Sequence, residues 1–555
     1  MNNGKTEKKS WEEYTLDALY YAFAASEDDG LHLFLNLVLE SQFERPAFLS
    51  KLYYQIDEIR EEGIFRIGPA TKDWMEFWRG YNKWDAAKNS AQKGKLLSLL
   101  NADFLTQENL GRLYFHIALI EGELKNHLLA AAYYEKSSQL LPMLSWIYYN
   151  WAISLGELGR HNEAIEKYQK AVELNPKYAK AYRNWGNRLG ALGRLEEAIE
   201  KYQKAIELDP KYVLAYNNWG WSLGALGRHE EAIEKYRKMI ELDPTNAAAY
   251  NNWGNRLRAL GRHEEAIERY QRTLELDPKS AAACNGWGIS LGTLGHNKEA
   301  IEKYQKASEL DPKSAAIFNN WGISLSTLNR HEETIEKYQK AIDLDPKYAE
   351  VYHNWGWSLG ALGRHEKAIE KYRKAIELDP NYSSAYYNLG YRLCLLQMYE
   401  EALRAYQKLL EINPEKWSYH NNAAWQMTRL KKYDDALSTF MKANTLAPDE
   451  PLPIINSGII LFVQGSRTEA QKLFKNVLKE KREILEKELV DKIVPLLGIG
   501  SIDEATEILK AIKSNIPDEM KILRFIDWKF LASAPKPPKG IEAFLAQARA
   551  LFGEK

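Results

Sequence analysis

Residues 213–246 read VLAYNNWGWSLGALGRHEEAIEKYRKMIELDPTN, and numbering them from one to thirty-four exposes two helical periods separated by a turn. Ala215, Tyr216, Trp219, Gly220 and Leu223 stand at positions three, four, seven, eight and eleven. At roughly 100° per residue they fall on one helix face. Gly224 and Gly227 interrupt the period, and Gly227 suits the left-handed residue that closes many helices. A second helix carries Ala232, Ile233, Tyr236, Met239 and Ile240 on its apolar stripe. It is predicted to stop at Asp243-Pro244, because the residue before a proline is driven out of helical geometry. Glu231–Lys235 and Glu234–Lys238 stand four apart and are predicted to pair along it. Such a hairpin has more apolar surface than it can hide alone. Stacking on the next hairpin hides it, with Gly220 and Ala232 permitting close approach and Trp219 filling the space between the helices.

The stretch is one of a series. Pro142, Pro176, Pro210, Pro244, Pro278, Pro312, Pro346, Pro380, Pro414 and Pro448 climb in steps of 34 residues, and Trp151, Trp185, Trp219, Trp253, Trp287, Trp321 and Trp355 climb in the same step. A fixed period of this length marks a repeat architecture. Tyr182, Trp185-Gly186, Leu189, Ala198, Tyr202, Ala205 and Pro210 resemble the pattern of the tetratricopeptide repeat family, with Trp in place of the family's Leu and Leu in place of the first helix's Tyr. Both exchanges keep the position apolar. The resemblance implies an all-α fold: a right-handed superhelical solenoid of about eleven 34-residue helix-turn-helix repeats, flanked at both ends by further helices. The register runs over residues 111–484. Its ends are degenerate, with Lys125 at a turn-glycine position and Arg482 at a proline position, as the sealing units of a solenoid require.

Residues 1–110 lie outside the register and read as a helical N-terminal domain with clusters at Leu16-Leu19-Tyr20, Leu33-Phe34-Leu37 and Trp74, Trp78, Tyr81; no role is legible in them. Residues 485–555 read as C-terminal capping helices at Ile502 to Ile512, Met520 to Leu531 and from Ile541, with a stiff proline-rich linker at 535–540. The last helix carries Ile541, Phe544, Leu545, Ala548, Leu551 and Phe552 on one stripe, read as a cap folded onto the array or as a docking helix for another chain.

The chain has 555 residues, 45% hydrophobic and 27% charged, with a formal net charge of −1. That content excludes wholesale disorder, and the charge balance argues against a general polyanion binder. Cys284 and Cys394 are too few for a disulfide framework or a tetrahedral zinc site. The longest early apolar run, Leu31 to Leu39, is about half of the roughly 20 residues a membrane helix needs. These features, with a start that lacks a signal-peptide pattern, give the expectation of a soluble, cytoplasmic protein that needs no membrane.

By the same resemblance, positions two, five, six, nine, twelve and thirteen of each first helix line the inner face of the superhelix. Asparagine fills position six as Asn184, Asn218, Asn252, Asn320, Asn354 and Asn388, and position five as Asn217, Asn251, Asn285 and Asn319; position nine carries Asn187, Trp221, Asn255, Trp357 and Tyr391. An amide both donates and accepts, so a row of them can bind an extended backbone whatever its side chains. A comparable asparagine ladder occurs in the tetratricopeptide superhelix of O-GlcNAc transferases, although nothing here resembles a transferase catalytic domain. The competing reading gives those amides to neighbouring repeats. The family's carboxylate clamp is matched by Arg183, Asn187 and Asn218 but fails at Ala248 and Asn252, where cations belong.

His161, His229, His263, His331 and His365 recur in the turn. Equivalent turns lie roughly 8–10 Å apart, too far for one metal whose ligands sit about 2 Å from it. No nucleophile elbow, phosphate loop or HExxH motif occurs, and the carboxylates fall in surface charge pairs. Arg188, Arg256, Arg258 and Arg392 border the inner face too sparsely for a phosphate track. The expectation is a scaffold or adaptor, without catalysis, cofactor or metal, that binds extended segments of protein or peptide partners. Alternatives are a substrate-recruiting array for an activity in the flanks, single-stranded RNA binding through inner-face aromatics, and self-association.

Overall fold

Thirty-four residues in each step of the sequence become two helices and two turns. In the computed structural model, residues 93–480 are described without a break, together with 26–44, 51–54, 541–552 and isolated positions in both flanks. Trp78, Tyr81, Arg482, the helix at 520–531, the linker at 535–540 and most of the helix at 502–512 lie outside the described residues. No strand occurs among the described residues. The chain forms two units, Met1–Pro278 and Lys279–Lys555.

In the first unit the hairpins are Gln107–Glu123 with His127–Leu140, Ser145–Glu157 with His161–Leu174, Ala179–Ala191 with Leu195–Leu208, Val213–Ala225 with His229–Leu242, and Ala247–Ala259 with His263–Leu276. Each helix packs on its partner and on the next in sequence. The Val213–Ala225 helix ends as its glycines require. Gly227 adopts φ 76°, its N–H bonds to Gly224 O at 3.2 Å, and the Arg228 N–H bonds to Leu223 O at 2.9 Å, the paired closure that only a left-handed residue allows. The His229–Leu242 helix ends at Asp243, with φ −143° before the proline, and its Oδ1 accepts from the Thr245 N–H at 3.0 Å. That side-chain turn starts the next repeat.

Between the paired helices, glycine at position eight meets tyrosine at position twenty-four. A Cβ on Gly220 would stand 2.8 Å from the Tyr236 ring, and Tyr236 is fully buried. The repeated spacing of Gly and Tyr therefore sets how closely these hairpins close. Trp219 lies half-buried beneath a cation: Lys235 Nζ is 4.1 Å from its ring centre, as Lys201 Nζ is 4.6 Å from Trp185. This corrects the charge pairing read from the sequence. Glu231 is taken by Arg228 at 2.5 Å, and Lys238 turns to Glu241 at 2.6 Å. The spacing of three wins because position twenty-three is claimed by the indole face.

The first hairpin also carries part of the N-terminal flank. Phe34, Leu35 and Val38 of the Glu27–Glu44 helix share a core with Leu113, Ile117 and Ile120, and Asn109 Nδ2 donates to Asn36 Oδ1 at 2.6 Å. Lys93 pairs with the fully buried Glu121 at 2.8 Å, compensating a carboxylate that burial alone would expel.

The second unit repeats the plan from Ala281–Thr293 with Asn297–Leu310 to Pro451–Val463 with Arg467–Glu480. Lys303, Lys337 and Lys371 cover Trp287, Trp321 and Trp355 at 4.2, 4.2 and 4.5 Å. In the Ile541–Phe552 helix, Ile541, Phe544, Leu545 and Ala548 are buried, so these four positions of the stripe are covered.

Candidate functional site

Once position seven packs inward against the second helix, positions five, six, nine and thirteen are left on the other face of each first helix. There the asparagines form rungs between consecutive repeats. In the first unit, Asn252 Nδ2 donates to Asn217 Oδ1 at 3.0 Å and Asn184 Nδ2 to the Tyr149 hydroxyl at 3.1 Å. In the second, Asn320 donates to Asn285 at 3.1 Å and Asn354 to Asn319 at 3.3 Å, while Asn388 Nδ2 meets His353 Nε2 at 2.9 Å. The rule is a position-six amide donating to the position-five acceptor one repeat earlier. Its exception has a chemical cause. Arg183 holds position five and has no acceptor, so Asn218 donates instead to Asn187 Oδ1 at 2.6 Å.

The row therefore belongs first to the repeats themselves. Asn319 is 1% exposed and sealed away from any incoming chain. The other asparagines named from the sequence are half-buried; Asn251 makes no rung, because position six of the next repeat is Gly286, and its Oδ1 is buried without a partner. Asn187 and Asn255 accept from the Tyr202 and Tyr270 hydroxyls at 3.0 and 2.9 Å. Each rung uses one of the two N–H bonds of its donor amide and leaves the other.

What stands exposed at position nine is a large apolar side chain in three repeats. Trp221 is 55% exposed, Trp357 51% and Ile323 40%. Tyr391 is half-buried beside the Arg392 guanidinium, 5.2 Å from its ring. Ile289 and Ile323 also hold position nine, on the 34-residue step from Trp357, but an aliphatic residue there gives neither the amide nor the aromatic signal of its neighbours. Ile323 lies between two clefts, of about 270 and 430 Å³.

Three of the arginines read as a border, Arg188, Arg256 and Arg392, act as fillers. A Cβ on Gly156 would stand 2.7 Å from the Arg188 guanidinium carbon, and one on Gly360 2.5 Å from that of Arg392. Arg256 lies against Gly224 in the same way. Arg188 also reaches Glu157 at 3.4 Å, and Arg392 is 3% exposed. The cations bear on the buried tyrosines. Burial pushes the Tyr236 hydroxyl up to about 12, and Arg256 works against that rise. Tyr338 is raised further by burial, with Glu350 adding to it.

The turn histidines each begin the second helix of a separate repeat, with Leu195 and Asn297 in the same place in two others. No group of three metal-binding side chains occurs among the described residues. No helix among them is long and apolar enough to cross a membrane.

The chain is similar to known repeat proteins over most of this array. The profile of the TPR repeat matches residues 154–187, 186–227, 223–255, 254–295, 325–363 and 358–393, and a second tetratricopeptide repeat profile matches 383–416. Among solved structures, MamA is 30% identical over 30% of this chain and 97% of its own, with a TM-score of 0.28. YrrB, described as a TPR protein with an unusual peptide-binding site, is 29% identical over 34% of this chain and 97% of its own, with a TM-score of 0.28. PilF of Pseudomonas aeruginosa is 24% identical over 37% and 93%, with a TM-score of 0.34. No curated protein matches the chain.

Proposed function

Because the chain is a tetratricopeptide repeat protein, with matched repeats through residues 154–295 and 325–416, we propose that it is a non-catalytic scaffold. In this reading it binds extended peptide segments of partner proteins along its first helices. Catalysis plays no part in it, and the flanks serve the array. The observation that carries the reading is the exposure of Trp221, Ile323 and Trp357 amid amides locked in place by their rungs. Large apolar side chains held out on a rigid polar face are what a peptide-binding surface needs, since the protein gives up little conformational freedom on binding.

The test is to pan random peptides on the full-length chain and measure the selected ones against Ile323→Asp and Trp357→Ala. Binding that falls at least tenfold in either variant, with an unchanged circular-dichroism melt, supports the reading. Selected peptides that bind both variants as well as the parent overturn it. Affinity that collapses between 50 and 200 mM salt and is competed by single-stranded RNA would move the face to nucleic acid.

A further inference from the structure

Seven repeats place a tryptophan at position seven and a lysine or arginine from position twenty-three over its ring, from Lys167 at 4.2 Å from the centre of Trp151 to Lys371 at 4.5 Å from Trp355. In the repeat that follows, Ser383–Leu395 with Tyr399–Ile412, both partners are gone. Leu389 stands at position seven and Ala405 at position twenty-three. The exchange removes an indole and a long cationic arm together, and Tyr386, Leu389, Leu393 and Ala405 line a pocket of about 230 Å³. That is below the roughly 300–1,000 Å³ of a small-molecule site and suits a single side chain.

The filled counterpart lies in the first unit. Trp253 is covered by two guanidiniums, Arg269 of its own repeat at 4.4 Å and Arg237 of the repeat before it at 5.0 Å. Four repeats on, Arg373 holds the place of Arg237, Leu389 that of Trp253 and Ala405 that of Arg269. Arg373 thus lines the pocket as a cation whose ring is missing. An aliphatic side chain entering there would bury apolar surface, whereas an aromatic one would also draw on the guanidinium.

The rim selects charge. Position twenty-two is glutamate in all seven tryptophan repeats, from Glu166 to Glu370, and is Arg404 here. Arg404 is exposed and makes no ion pair among the described residues. Lys408, also in the lining, is paired with Glu411. Glu401, the one carboxylate of the lining, is held by Arg373 at 2.5 Å. An uncommitted guanidinium at the edge of an apolar pocket favours acidic residues beside the entering ring.

We infer that this pocket takes an aromatic side chain, indole above all, from an acidic segment of a partner protein. The partner completes the stack of tryptophan and arginine that this repeat omits. Tyr386, Leu389 and Leu393 are positions four, seven and eleven, on the side of the first helix away from the asparagine row. The site is therefore separate from the face read as peptide-binding and does not depend on it.

The experiment titrates the full-length chain into fluorescein-labelled Gly-Asp-Asp-Trp-Asp-Asp-Gly and reads anisotropy. The same peptide with alanine for tryptophan should bind at least tenfold more weakly, and with lysine for aspartate at least threefold. Leu389→Trp with Ala405→Lys restores the pair of the other repeats and should abolish binding, with the melting temperature kept or raised. Arg404→Glu, an exposed change, should weaken binding at least threefold and remove the preference for aspartate over lysine; it decides the matter if the double variant melts below the parent. Ile323→Asp and Trp357→Ala should bind as the parent does. Binding that survives the double variant at a parental melt, or that the alanine peptide shares, overturns the inference. Binding lost in Trp357→Ala but kept when the pocket is filled also overturns it, and moves the peptide to the first-helix face. No binding of the tryptophan peptide while panned peptides still bind refutes this pocket and leaves the earlier reading standing.

Discussion

At two repeat interfaces within residues 145–276 the space above the twelfth position of a first helix is taken by an arginine of the next repeat: Arg188 lies on Gly156, and Arg256 on Gly224, whereas Gly190 between them meets only the Tyr202 hydroxyl, at 3.9 Å. In residues 281–361 the same space faces serine. Ser324 Oγ is 3.3 Å from where a Cβ on Gly292 would stand, and Ser326 and Ser358 face each other at 3.5 Å. Here the space stays open as the two clefts. The hairpins themselves are alike, with tyrosine closed on glycine in both regions. Serine thus stands at the Gly292 and Ser326 interfaces where arginine fills the space over Gly156 and Gly224. Where Arg392 returns over Gly360, the filled form returns with it.

If the two regions differ at the cleft and not in the core, emptying the core should hurt both equally. Tyr236→Ala and Tyr338→Ala should each cost about 3–5 kcal/mol, the range for deleting a large buried aromatic. Hydrogen exchange of the surrounding amides would report it repeat by repeat. A gap above about 1.5 kcal/mol between them would mean that Arg256 slumps into the void, making the filled cleft part of the core.

Alkaline titration separates the regions next. A tyrosine whose folded pKa is raised contributes stability that is complete below its unfolded value, near 10, and lost as pH climbs through the folded one. For Tyr236, raised to about 12, the loss falls between about pH 10 and 12 and amounts to roughly 2–3 kcal/mol. Tyr338, raised further and with no cation opposing the rise, should ionise later. Tyrosinate absorbance in single Tyr→Phe variants would resolve the order. Simultaneous ionisation of the two would show that Arg256 has no electrostatic hold on its cleft.

Converting one interface into the other is the sharper test of binding. Gly292 already provides the seat that every filling arginine uses, so Ser324→Arg should close the first cleft without strain. The expected result is at least a tenfold loss of peptide affinity, about 1.4 kcal/mol, with an unchanged melt. The reverse change, Arg256→Ser, should open a cleft beside Trp221 and add a binding register.

Most of the hairpin was legible because apolar period, glycine and proline punctuate each repeat in the same register. The asparagine rungs were half legible. The sequence shows amides at positions five and six, but whether Asn354 grips Asn319 or an outside chain depends on the distance between helices 35 residues apart, which no local pattern encodes. The place of Arg256 is hidden for the same reason: it reads as a cation bordering the inner face until Gly224, thirty-two residues earlier, is seen as its seat. Lys235 was given to Glu231 because helix pairing rules are local, whereas Trp219 reaches it from the other helix of the hairpin.

The smallest effect concerns the turns. Gly227 and Gly363 take φ of 76° and 69° at no steric cost, whereas Asn329 and Gln397 hold the same left-handed turn at 57° and 60°. For a residue with a Cβ that geometry costs roughly 1–2 kcal/mol, and asparagine is tolerated better than glutamine. Gln397→Gly should therefore raise local stability by about 1 kcal/mol, and Asn329→Gly by less. Asn329 also lines the larger cleft, beside His331. If Asn329→Gly weakens binding of the panned peptides while stability rises, that asparagine serves the ligand and the strain is retained for binding. Were affinity unchanged, the turn would be a conformational concession only, and the ligand's contacts would end at Thr327 and Trp357.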